Sequence, residues 1–163
     1  MQYYSFLPPN NRSQIFGDAL KNNLGEFTKL YRDVQSINAE ISRIGPTIME
    51  LQSTAVCFSK PIPPGGHGFS PGLPIVSIDA PTMLAGFFQD KKGESYFLLV
   101  NTDMDYGKLA RVTFAEDVKS VIEIAKNKMP AEEFSWQKEE SEKDAVLLFR
   151  AGDGRLFKVL RKK

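Results

Sequence analysis

The feature that most constrains this chain is a change of hydrophobic period near residue 51. Upstream, Leu30, Val34, Ile37, Ile41, Ile44, Ile48 and Leu51 recur at alternating steps of four and three, which lays them on one stripe of an α-helix. Downstream, to the end of the chain, apolar residues follow the period of two that belongs to strands. The switch divides the chain into a segment 1–52, holding a strand and the helix, and a β-domain 53–163.

The stripe predicts a helix docked along one face. Thr28 stands where an N-cap would, and Gly45-Pro46 marks either a kink or the junction of two helices, because proline brings no N–H to an interior bond. Arg32, Asp33, Gln35, Ser36, Glu40, Ser42 and Arg43 fall mostly off the stripe and read as a solvated face; a coiled coil needs more heptads. Before the helix, Tyr3, Tyr4, Phe6 and Leu7 form a β-prone run stopped by Pro8-Pro9-Asn10-Asn11.

Strands are expected at Val56–Ser59, Ile75–Ile78, Leu84–Gln89, Tyr96–Asn101, Leu109–Phe114, Val118–Ile124, Phe134–Gln137, Ala145–Arg150 and Leu156–Leu160. Their lengths and spacing suit an antiparallel sandwich. Between the first two, eight of the twelve residues Pro61–Gly72 are Pro or Gly, and no regular element can cross them. Lys91-Lys92-Gly93 and Gly152-Asp153-Gly154 both read as hairpin turns. Phe97-Leu98-Leu99-Val100 and Val146-Leu147-Leu148-Phe149 are continuous apolar runs, as in central strands covered on both sides, with the helix available as the second cover. The expected fold class is mostly β: an antiparallel β-sandwich with a long N-terminal helix, kinked or broken at Gly45-Pro46.

Composition narrows function more by exclusion. Twenty-one basic against 20 acidic residues, a net charge of +1, gives no overall field for a polyanion, so nucleic acid is not an expected partner. One cysteine, Cys57, forbids an internal disulfide or a multi-cysteine metal site, and one histidine forbids a His pair, so neither metal nor cofactor is expected. The sequence shows no signal peptide and no apolar run long enough to span a membrane, and no membrane partner is expected.

The remaining constellations have structural readings. Asn101 and Asp103-Met-Asp105-Tyr-Gly107 open like a calcium loop, but the glycine comes one place late and position twelve is Val112 rather than glutamate; a polar hairpin loop fits better. His67 has no sequence-local nucleophile or carboxylate, and Cys57 lies between Val56 and Phe58 as a small hydrophobe would. Adjacent carboxylates such as Glu116-Asp117 point to opposite faces of a strand, and Glu139–Asp144 reads as a solvated loop. Of eighteen aromatics, twelve are Phe and most must be core; Trp136, Tyr106 and Phe134 are the candidate sugar-stacking platforms. The basic residues Arg150, Arg155, Lys158, Arg161, Lys162 and Lys163 read as a frayed terminus.

Leu30-Tyr-Arg-Asp-Val-Gln-Ser-Ile-Asn-Ala-Glu-Ile-Ser-Arg-Ile-Gly-Pro46, continuing through Leu51-Gln-Ser-Thr-Ala-Val56, resembles the final barrel helix of bacterial glycoside hydrolases, β-galactosidase-like enzymes among them. In these a tyrosine, an Ile-Asn-x-Glu-Ile core and a Gly-Pro break lead into a C-terminal β-domain. Gly86-Phe-Phe-Gln-Asp-Lys-Lys-Gly-Glu-Ser-Tyr-Phe-Leu-Leu-Val-Asn-Thr-Asp103 is similar to a strand, turn and strand of such domains, and Phe149-Arg-Ala-Gly-Asp-Gly-Arg-Leu-Phe157 to their closing hairpin. The resemblance implies that Tyr3–Leu7 corresponds to the eighth barrel strand and Leu30–Leu51 to the eighth helix. The family's catalytic carboxylates stand on earlier strands, so none maps onto this sequence. The implied role is a non-catalytic accessory domain that meets a barrel, or a second copy, through the helical face. The alternative is a free-standing carbohydrate-binding module with Trp136, Tyr106 and His67 as its face.

Overall fold

The computed structural model describes residues 19–126, 132–135 and 143–162. The expected strand Tyr3–Leu7, Trp136 and the acidic stretch 139–142 lie outside them. The described residues fall into two compact units, divided after Arg43.

Helix α1 runs Lys29–Ile48. Thr28 caps it: its Oγ1 accepts the Tyr31 N–H at 3.4 Å and donates to the Ala19 carbonyl at 2.7 Å. Phe27, just before the cap, stacks on Tyr31 with ring centroids 4.1 Å apart, which fixes the entry of the chain. The break expected at Gly45-Pro46 is not there: α1 continues through Pro46 and ends at Ile48. Pro46 removes the N–H that would reach Ser42, the helix closes with Met49 donating to Gly45 O, and it stops within a turn. The stripe expected to be docked is not buried. No residue of α1 is buried, and Leu30, Ile37, Ile41 and Ile48 are exposed. Periodicity dictates which side chains share a face; it does not dictate that something covers the face.

The β-domain is an antiparallel sandwich. Its strands are β1 Gln52–Phe58, β2 Ile75–Asp79, β3 Met83–Gln89, β4 Ser95–Asn101, β5 Lys108–Phe114, β6 Val118–Glu123, β7 Glu133–Ser135, β8 Asp144–Phe149 and β9 Gly154–Arg161. Among the described residues one sheet has six strands in the order β1-β3-β4-β9-β6-β7, and the other has three in the order β2-β5-β8. Alternation sorts the side chains. Ala85 and Phe87, Phe97 and Leu99, and Phe157 and Val159 face inward from β3, β4 and β9, against Ala110, Val112 and Phe114 of β5 and Ala145, Leu147 and Phe149 of β8.

Three readings need correction. Gly93 closes a true hairpin between β3 and β4, with φ 79° and its N–H on Asp90 O. Gly152, φ 64°, instead turns the chain from β8 in one sheet to β9 in the other. Positive φ reverses the chain, but pairing partners decide whether the two strands become neighbours. The run Val146–Phe149 is not a strand covered on both sides: β8 is an edge strand, and Val146 and Leu148 are exposed. Three residues of the basic C-terminal run, Arg155, Lys158 and Arg161, are not frayed either: they lie on β9, between β4 and β6, with their charges paired, Arg155 to Glu123 and Glu132, Lys158 to Glu94 at 2.7 Å, and Arg161 to Asp117. At the end of the acidic segment, Asp144 opens β8 and Lys143 is buried, its Nζ donating to the carbonyls of Glu116 and Val118.

Candidate functional site

Of the candidate sugar-platform residues, Tyr106 and His67 lie among the described residues. Tyr106 is 72% exposed on the β4–β5 loop, and His67 is exposed in the Pro/Gly segment, where its carbonyl accepts the Phe58 N–H at 2.8 Å. Those loops follow β1 and β4, which stand two places apart in the six-stranded sheet. Trp136 lies outside the described residues.

The loop that opens like a calcium site is consumed by its own backbone. Asp103 Oδ1 accepts the N–H groups of Asp105 and Tyr106 at 3.0 and 3.1 Å, and Oδ2 pairs with Lys108 at 3.0 Å. Asn101, fully buried, donates Nδ2 to the carbonyls of Tyr106 and Arg150 at 2.8 and 3.0 Å and accepts the Asp103 N–H at 3.1 Å, so one side chain ties this loop to the β8–β9 turn. Among the described residues no cluster of three His, Cys, Asp or Glu is arranged to hold a metal.

The backbone donors of Asp105 and Tyr106, together with Lys108, hold the Asp103 carboxyl below its ordinary range. A depressed carboxyl contributes stability that is complete above its unfolded pKa, about 3.9, and is lost as pH falls through the lower folded value. Amide exchange at Asp105 and Tyr106 is therefore expected to stay protected through pH 4 and to accelerate only below it. Asp103→Asn removes this acid dependence, and a transition above pH 5 would contradict it.

Cys57 is buried, and burial pushes its thiol up, away from the thiolate that a nucleophile needs. Nothing in the sequence patterns marked the inner-facing Arg155. Its Nε and Nη2 grip Glu123 at 2.9 and 2.8 Å, Nη2 also meets Glu132 at 2.6 Å, and the guanidinium lies over the rings of Phe157 and Phe149 at 5.3 and 5.8 Å. This is a closed structural ion cluster, with its donors and acceptors turned on one another.

Besides the α1 stripe, the β-domain presents two exposed surfaces among the described residues. The outer face of the three-stranded sheet carries Leu109 directly opposite Leu148, 66% and 67% exposed, with Val146 beside them. A cleft of ≈ 720 Å³ lies between the end of β1, the Pro/Gly segment and β2; its walls include Phe58, Lys60, Ile62, Phe69, Val76 and Asp79. No family model, curated protein or solved structure matches this chain.

Proposed function

We propose that this chain is a non-catalytic accessory domain related to the C-terminal β-domains of bacterial glycoside hydrolases, which seats against a barrel or a second copy through its helix. The observation that carries this reading is the helix itself. Twenty residues bear a continuous apolar stripe with none of it buried, followed directly by an antiparallel sandwich. A helix with so marked an apolar face draws its stability from packing that face against a partner. The exposed Leu109, Val146 and Leu148 offer a second apolar surface of the kind that marks protein contacts.

The purified chain is expected to hydrolyse no aryl glycoside and to associate with rising concentration in sedimentation experiments. Ile37→Glu weakens that association by about tenfold, the loss of roughly one buried aliphatic side chain. Turnover of an aryl glycoside would overturn the reading, and a wild-type chain that remains monomeric at every concentration would exclude a second copy as the occupant of the helical face. The exposed Tyr106 favours the second reading, a carbohydrate-binding module. Calorimetry with oligosaccharides separates the two: binding lost in Tyr106→Ala or Trp136→Ala supports the module, and no binding removes it.

A further inference from the structure

Among the described residues β2 has one neighbour, β5, and nothing pairs with its other edge. Phe114 donates its N–H to Lys143 O on the β8 side, so alternation along β5 turns the backbone groups of Thr113 and Arg111 toward β2. Their partners there are Ser77 and Asp79. The N–H and C=O of Ile78 therefore point to the open edge, and among the described residues nothing bonds to them from that side. This edge forms one wall of the ≈ 720 Å³ cleft, and Phe58 to Ile62 with Phe69 form the facing wall. The facing wall does not close the edge as a strand would, because it leads into the proline-rich segment that lacks the N–H groups a ladder requires.

We propose that this cleft binds an extended peptide segment, which adds to β2 as a fourth strand of its sheet. An unpaired strand edge is a template for another chain, and strand addition takes affinity from the backbone and selectivity from the flanking side chains. The volume falls within the range of about 300–1,000 Å³ usual for binding clefts. The walls also specify charge. Asp79 stands exposed on β2 and Lys60 on the facing wall, and neither is in an ion pair among the described residues. The complementary peptide carries a basic side chain beside Asp79, an acidic one toward Lys60, and apolar residues against Phe58, Ile62 and Val76.

The test uses the full chain and a blocked heptapeptide, Thr-Val-Lys-Val-Glu-Val-Thr, followed by residue-resolved amide exchange. The peptide is expected to slow exchange at Ile78 by at least about tenfold, as formation of a new ladder requires. Methylating the valine amides of the peptide abolishes the effect. Asp79→Lys, an exposed change, weakens binding by about fivefold, the upper value for one cross-strand charge pair, and a peptide with its Lys replaced by Glu restores it. Unchanged amide shifts in β5 and β8 verify that the variant keeps its fold. The proposal fails if Ile78 exchange is unaffected at millimolar peptide, if the methylated peptide binds equally well, or if a galactose oligosaccharide protects the same amide and the peptide does not.

Discussion

Arg155→Ala is expected to lower stability by about 3–5 kcal/mol in urea unfolding, the usual cost of removing one partner from a buried ion pair. The reason lies in what is left behind. The Glu123 side chain is 12% exposed and receives two of its hydrogen bonds from this guanidinium, itself 10% exposed. Burial works against the charged guanidinium, and the bonds to Glu123 and Glu132 outweigh it, so the group is held above its ordinary value. With arginine gone, a carboxylate remains at the edge of an apolar core, and the rings of Phe149 and Phe157 lose the plane that covers them. Glu132, 56% exposed, contributes little in comparison. The pair of substitutions Arg155→Met and Glu123→Leu should recover most of the loss, since a well-packed apolar pair can replace a buried ion pair at little cost. A double variant as unstable as Arg155→Ala would mean that shape rather than charge governs the position.

That arginine also marks where pattern reading stops. Period-two alternation locates the strands where one face is buried, and Val112 announces its side by its neighbours Arg111 and Thr113, whereas the continuous apolar run Phe97–Val100 does not. Alternation along one strand says nothing about a partner far away in sequence: Arg155 and Glu123 belong to strands whose adjacency is fixed only when β9 inserts between β4 and β6. The same gap explains the Gly152 turn and the exposed Val146 and Leu148. Local chemistry specifies a reversal or an apolar run, whereas the sheet a strand joins is decided by long-range pairing. The cleft at β2 is equally invisible, because an open edge is defined by the absence of a neighbour. Thr28 was legible for the opposite reason: a cap acts within three residues of itself.

Phe97→Ala is the second large effect, with an expected loss of about 3–5 kcal/mol. Phe97 is fully buried on β4, stacked on Phe157 of β9 with centroids 5.0 Å apart and rings inclined 18°, and tilted against Phe114 of the opposite sheet at 5.9 Å. Its ring therefore joins two strands of one sheet and also bridges the two sheets. Truncation leaves a cavity that neither sheet can collapse into, because both are held by their ladders, and each lost aromatic pair adds about 0.5–1.5 kcal/mol beyond buried area. Phe97→Leu retains most of the volume and should cost less than about 1.5 kcal/mol. Tyr106→Ala, on an exposed loop, should stay within about 0.5 kcal/mol of wild type. If Phe97→Ala proved no more harmful than Phe97→Leu, the two-sheet contact would not be the centre of the core. Against a total stability of about 5–15 kcal/mol for a domain of this kind, the alanine variant should sit close enough to its midpoint that amides in β4 and β9 lose protection together, since one ring anchors both strands.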